Sequence, residues 1–160
     1  MKKLFILTAV FMLSIVFVKA QSADPELDYI KKAYSKDKKT LVEEYMALDV
    51  QEGGKFWPIY SEYEKKREKL ATERLKLIEE YASLDSINAA QADKTANGAL
   101  SNTISLDKLN QEYYGKLKKS LGAVKAAKLL QLEIYLQTAW KGFVQNNIPL
   151  IGELDKTQKN

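Results

Sequence analysis

The feature that most constrains the fold is a long stripe of large side chains at helical spacing. Between residues 56 and 84 these side chains recur at alternating steps of four and three residues, the heptad pattern of helices that pack side by side. The stripe consists of Phe56, Tyr60, Tyr63, Arg67, Leu70, Arg74, Leu77, Tyr81 and Leu84. We therefore predict one helix over about residues 50–84. At about 1.5 Å per residue it would be about 50 Å long and would need an equally long partner.

The other segments also carry helical patterns, and strand-like alternation is absent. Asp24 and Asn88 are typical helix N-caps, and Asp49 with Glu52 and Asn88 with Gln91 have the spacing of capping boxes. A polar stretch at residues 35–39 weakens the middle of the first helix. We expect an all-α fold, an antiparallel helical hairpin or four-helix arrangement with one long helix. The predicted helices cover about residues 24–48, 50–84, 88–121 and 123–144.

The first twenty residues have the pattern of a cleaved signal peptide. A basic start is followed by an apolar run over residues 4–18 and by the site Val18-Lys19-Ala20 before Gln21. We expect a signal peptide at 1–20, a single helical domain at 21–151 and a flexible tail at 152–160. A fold-back of the short apolar segment formed by Ile148, Leu150, Ile151 and Leu154 is an open alternative. The mature protein is then periplasmic and does not span the membrane. A retained N-terminal anchor is the alternative, and the lack of any Cys excludes a lipid anchor.

Composition excludes several classes of function. The chain has neither His nor Cys, which removes the usual general base and the zinc and copper sites built from these residues. Loss of Lys2, Lys3 and Lys19 with the signal peptide lowers the formal net charge from +4 to +1, so no nucleic-acid footprint is indicated. No phosphate loop or nucleophile motif is present. We expect a protein that is not an enzyme and needs no cofactor or metal, although a carboxylate site for a hard cation stays open.

The two arginines of the chain, Arg67 and Arg74, both lie in the stripe, one heptad apart. A charge in a helix seam is costly unless it is paired. One interpretation is that both meet carboxylates on a neighbouring helix or cover the core with their stems. The other is that they face an open concave surface and contact a client or partner.

Tyrosines and one tryptophan accompany the arginines at helical spacing. Such stripes usually form a core, but Tyr also suits half-exposed surfaces and interfaces because it joins an apolar ring to a polar tip. A dimer interface or a client-binding groove is the functional alternative. The candidate partner-binding residues are Trp57, Tyr60, Tyr63, Arg67, Arg74, Tyr113 and Tyr114.

Short segments at the predicted helix starts resemble a known family. Ile87-Asn88-Ala89-Ala90-Gln91 is similar to the Leu-Thr-x-x-Gln signature of the Spy/CpxP-like periplasmic proteins, and Leu48-Asp49-Val50-Gln51-Glu52 is a looser copy. The segments 113–121 and 125–133 resemble the C-terminal half of related exported helical proteins.

The resemblance implies an exported all-α protein, often a homodimer of curved helical hairpins, that acts without ATP. It implies a chaperone or envelope-stress factor that binds unfolded or partly folded envelope proteins on a helical face. The alternatives are an adaptor or inhibitor that binds the periplasmic domain of a membrane sensor, and a structural coiled-coil protein of the envelope. The metal-binding branch of the family uses His, Cys or Met, and the mature chain has only Met46 among these.

Overall fold

The computed structural model describes residues 25–148, which form five α-helices and no strand. The all-α fold predicted from the sequence is therefore confirmed. The predicted signal peptide at 1–20 and the predicted tail at 152–160 lie outside the described residues. The helices are α1 (Pro25–Tyr34), α2 (Lys38–Met46), α3 (Val50–Ala82), α4 (Ala89–Leu121) and α5 (Ala123–Gln145).

The two long helices begin at the capping boxes that the sequence indicated. The Asp49 carboxylate accepts from the backbone N–H of Glu52 at 2.8 Å, and the Glu52 carboxylate accepts in return at 3.3 Å. Asn88 and Gln91 repeat this exchange at 2.9 and 3.0 Å. Each box satisfies backbone N–H groups that the first turn leaves without a partner. Helix α3 continues through Pro58 and ends two residues before the predicted end.

Helices α3 and α4 form an antiparallel hairpin along their whole lengths. Later residues of α3 contact earlier residues of α4. Lys116 donates to Glu62 at 3.2 Å, and Asn102 Nδ2 donates to the backbone oxygen of Leu70 at 2.8 Å. Near the turn, Lys94 donates to Glu80 at 2.6 Å. The hairpin thus gives the long stripe of α3 the equally long partner that it requires.

The predicted first helix is two helices, so the prediction of four helices is corrected to five. The chain leaves α1 at Ser35, whose φ of 55° lies in the left-handed region. Asp37 then starts α2 as an N-cap, and its carboxylate accepts from the backbone N–H of Thr40 at 2.9 Å. The polar stretch at residues 35–39 therefore breaks the helix instead of only weakening it, because Asp competes well for the N–H groups of a new first turn.

Helices α1, α2 and α5 pack against one end of the hairpin and enclose the core there. We call this part the five-helix end. Two large apolar residues of α1 and α2, Leu27 and Tyr45, are exposed. The core consists of Val42, Met46, Phe56, Tyr60, Tyr63, Leu109, Tyr113, Leu117, Ala126 and Leu129.

At the opposite end of the hairpin, residues 79–97, the described part of the chain consists of α3, α4 and the turn between them, and we call this end the hairpin tip. Within this range Tyr81 is the one fully buried residue. The helices come close at Gly98, where an added Cβ would lie 2.8 Å from Leu77 Cδ2. No helix within residues 25–148 combines the length and apolar character needed to cross a membrane.

Candidate functional site

A buried polar network centred on Glu133 of α5 runs through the five-helix end. The Glu133 side chain is 2% exposed. One of its oxygens accepts from Lys38 Nζ of α2 at 2.8 Å and lies 3.3 Å from the Tyr63 hydroxyl, and the other accepts from the Tyr60 hydroxyl at 3.0 Å. Burial first, and then the charge of Glu133, raise the pKa of Tyr60 well above its ordinary value. The hydroxyl therefore stays protonated and remains a donor.

Arg67 extends the network to α1. Its Nη1 donates to Glu26 at 2.7 Å and its Nε donates to Glu64 at 3.0 Å, while Lys38 also donates to Glu64 at 2.9 Å. Burial alone would lower the pKa of Arg67, but the nearby carboxylates outweigh it and raise that pKa. Burial would likewise raise the pKa of Glu64, and its two cationic partners lower it on balance.

The network connects all five helices. Tyr63 carries it to α4, because its hydroxyl donates to Asn110 Oδ1 at 2.9 Å, and Gln137 of α5 donates to the same hydroxyl at 3.3 Å. The cavity beside Glu133 has a volume of only about 20 Å³, which is room for a single water. A substrate does not fit there. The network is thus a device that fixes how the helices pack, not a reaction centre.

The structure divides the residues that the sequence singled out as partner-binding. Tyr60, Tyr63, Arg67 and Tyr113 are buried, each at most 4% exposed, so a client cannot reach them in the folded chain. Their role is structural: Tyr63 and Tyr113 pack edge to face with ring centroids 5.5 Å apart, and Arg67 is paired as described above. For Arg67 the pairing with carboxylates applies, and the surface-contact interpretation does not.

The remaining three candidates are half-buried. Trp57 lies at the edge of the core, where Lys39 Nζ stands 5.4 Å from the centre of its ring. Tyr114 packs against the core from the side of α4. Arg74 lies elsewhere, at an open groove. Of the other predicted partner-binding residues, the buried Arg67 also lines this groove and the rest do not.

This open groove lies between α3, α4 and the last turns of α5, next to the Arg67 end of the network. Its volume is about 290 Å³, close to the lower limit of about 300 Å³ for ligand pockets. Its walls are mostly apolar, and Arg74, Gln137 and Lys141 are among the polar side chains at its surface. The apolar lining comprises Leu70, Ala71, Ile78, Leu106, Trp140, Val144 and Ile148.

Arg74 is the unusual member of the groove. Burial lowers its pKa, and no carboxylate within residues 25–148 forms an ion pair with it. A partly desolvated guanidinium is weakly hydrated and presents a fork of N–H donors that fits a carboxylate. The groove therefore combines an apolar surface with a guanidinium that has no ion pair within residues 25–148 and can receive an anion.

Sequence reasoning missed the acidic and amide members of the network, although a signal was present. Glu133 stands on the same helical stripe as Leu129, Leu136 and Trp140, at steps of three and four residues. Lys38 precedes Val42 by four residues in the same way. A polar residue at a stripe position predicts a buried, paired group, the argument already applied to the arginines. Leu70 was expected in the stripe of the long helix, and the groove that it lines together with Trp140 was not expected.

Among residues 25–148, no cluster of three or more potential ligand side chains could hold a metal ion. Comparison with known proteins found no matching family model, curated protein or solved structure.

Proposed function

We propose that this chain is an exported, non-enzymatic binding protein that holds apolar segments of unfolded envelope proteins in the groove between α3, α4 and α5. This activity is that of a Spy/CpxP-like chaperone that works without ATP. The observation that carries the proposal is the groove itself, an open apolar concavity with the guanidinium of Arg74, which forms no ion pair within residues 25–148, at its wall. Periplasmic location through the signal sequence at 1–20 belongs to the same proposal.

The size of the groove suits weak and rapidly reversible binding. Two apolar side chains that enter it gain about 1.5–3 kcal/mol each from burial. Association costs at least about 4 kcal/mol in lost freedom, so little net affinity remains per contact. A protein that holds unfolded chains and releases them without nucleotide needs this balance. Tight binding would trap the client, and no energy source would then remove it.

A second copy is the proposed partner of the exposed apolar surface of α1 and α5. Ile134, Tyr135 and Phe143 of α5 and Leu27 of α1 are each 40–58% exposed. Large apolar side chains grouped on adjacent helices favour a homodimer interface over a solvated surface. Light scattering of the mature chain after size-exclusion chromatography should give twice the monomer mass. A monomer at all concentrations would remove the dimer from the proposal and leave the groove untouched.

The chaperone activity is tested by aggregation of a chemically unfolded client without nucleotide. We expect the mature protein at about twofold molar excess to suppress light scattering, and Ile78→Ser in the groove to reduce this suppression several-fold. Leu100→Ser is the matched control, because Leu100 is 61% exposed on α4 and does not line the groove. Thermal melting of both variants separates lost binding from lost folding.

Two outcomes would overturn the chaperone. One is unchanged aggregation at that excess of protein. The other is equal activity of Ile78→Ser and Leu100→Ser, which would exclude the groove. If generic clients are unaffected but a pull-down captures one defined membrane sensor domain, the adaptor takes the place of the chaperone.

A further inference from the structure

We infer that residues 149–160 bind in the same groove and compete there with client segments, so that the chain regulates its own binding site. The inference rests on the proposed function, because the groove is the site that both occupants share. It names the class of ligand as well: an apolar segment that carries an acidic residue.

The first argument is the point at which the segment leaves the described fold. Helix α5 ends at Gln145, and Asn147 turns the chain by donating from Nδ2 to the backbone oxygen of Phe143 at 2.7 Å. Ile148, the next residue, already lines the groove. The last described residue therefore stands at the wall of the groove. A segment tethered there has an effective concentration on the order of millimolar, so even weak binding suffices to occupy the groove.

The second argument is the apolar character of the segment. It reads Pro-Leu-Ile-Gly-Glu-Leu-Asp from residue 149, with Leu150, Ile151 and Leu154 within six residues of Ile148. In the sequence they follow shortly after Val144 and Ile148, which line the groove. Binding of the segment in the groove would remove both apolar surfaces from water, which is energetically favourable.

The third argument is charge. Arg74 is partly desolvated and has no ion pair within the described range, and Lys141 lies at the same groove. The segment carries Glu153 and Asp155, one on each side of Leu154. A carboxylate that follows an apolar side chain into the groove would pair with the guanidinium by charge-assisted hydrogen bonds. An apolar client without an acidic residue lacks this pairing.

The test uses the full mature chain with Trp57→Phe, so that Trp140 in the groove is the single tryptophan. Tail variant Leu150→Ser/Ile151→Ser/Leu154→Ser should raise the acrylamide quenching constant of Trp140 by about twofold. The control Val124→Ser changes an apolar side chain that is 83% exposed at the other end of α5 and should leave quenching unchanged.

A labelled synthetic peptide with the sequence of residues 148–156 is the binding probe. It should bind the tail variant about fivefold to tenfold more tightly than the unaltered chain, because the tethered competitor is removed. The peptide with Glu153→Gln should bind the tail variant several-fold more weakly. Adding Arg74→Ala to the protein should abolish that difference between the two peptides, which identifies the pair by a double-mutant cycle.

The outcomes distinguish the inference from the proposed function. Unchanged quenching and unchanged peptide affinity in the tail variant would overturn the inference, whereas loss of chaperone activity in Ile78→Ser would still support the groove as a client site. A peptide that binds while the chain never suppresses client aggregation would overturn the proposed function and leave the tail as the only occupant. Equal affinity of the two peptides for the tail variant would overturn the role of Glu153.

Discussion

The five-helix end and the hairpin tip share the same two long helices but differ in what surrounds them. At the five-helix end, Phe56, Tyr60 and Tyr63 of α3 are at most 4% exposed, because α1, α2 and α5 cover them. Towards the tip, Leu77 and Leu84 continue the same stripe and stay half-buried, because α4 is the helix that packs along this part of α3 among residues 25–148. The same heptad pattern therefore produces a core in one place and a two-helix ridge in the other.

The difference indicates where a chain of this kind can form an accessible binding site. A two-helix ridge buries little apolar surface, and the side chains in the centre of the five-helix core are themselves out of reach. The groove lies between the two, where α5 ends beside Asn102 and Thr103 and the hairpin continues alone. Apolar side chains are exposed there and are still held in place by the core below them.

The largest expected effect tests whether the buried network stabilises the five-helix end. Glu133→Ala should lower the free energy of unfolding by about 3–5 kcal/mol, because it leaves the Tyr60 hydroxyl buried without its acceptor and removes one of the two carboxylates that pair with the buried Lys38. Urea denaturation followed by circular dichroism measures it. Glu133→Gln keeps the volume and one acceptor, so its loss should be smaller. Equal and small losses in both variants would contradict the network's role.

The dependence of the free energy of unfolding on pH, on the acid side of neutrality, tests the same network through Glu64. The pKa of Glu64 in the folded state is lowered below its ordinary value of 4.5 by Lys38 and Arg67, which overcome the effect of burial. The stabilisation is thus present above about pH 4.5 and is lost as the pH falls through the lower folded-state pKa. We expect Glu64→Gln to cost about 1.5–3 kcal/mol near neutral pH and less at about pH 3. A loss that does not depend on pH would contradict this assignment.

Two glycines of α4 compare the two ends with the same substitution. Gly115→Ala, at the five-helix end, meets nothing within 4 Å of the new Cβ and should stabilise the protein by about 0.5–1 kcal/mol through helix propensity. Gly98→Ala, beside the tip, places Cβ 2.8 Å from Leu77 Cδ2, so Leu77 must leave its rotamer at about 0.5–1.5 kcal/mol. Melting curves should show a gain only for Gly115→Ala. An equal gain at both positions would indicate a loosely packed crossing.

The smallest expected effect is an ion pair at the tip. Lys94 and Glu80 are 2.6 Å apart, and their side chains are 69% and 58% exposed. Glu80→Gln should change the free energy of unfolding by less than about 1 kcal/mol, and added salt should reduce even that. A loss comparable with that of Glu133→Ala would erase the contrast between the two ends.

The sequence predicted the secondary structure well wherever the signal was local. The capping boxes at Asp49 and Asn88 involve residues three apart, so a short window contains the whole interaction. The break at Ser35 was underestimated for the opposite reason. Its polar surroundings were visible, but whether α1 and α2 continue as one helix depends on how both pack against α5.

The candidate site was predicted less well, because helical periodicity shows which residues face a neighbour and not which neighbour they face. Trp57, Tyr60, Tyr63 and Tyr113 stand in stripes that a core and a binding surface share. Burial decided between the two for Tyr60, Tyr63 and Tyr113. The groove residues Trp140 and Ile78 lie on different helices. The pattern of neither helix predicts that these two residues line the same groove.

By itself, the sequence determined that this chain is helical, where its long helices begin, and which of their faces are covered, because these properties depend on residues a few positions apart. Only the tertiary structure decided which of the two arginines forms an ion pair and which lines the groove without one among residues 25–148. Arg67 and Arg74 are one heptad apart on one helix face, but Glu26 of α1 reaches only the first at ion-pair distance. The second stands in the groove because α5 ends beside it. Pairing a charge needs a partner from a distant part of the chain, and only packing brings that partner close.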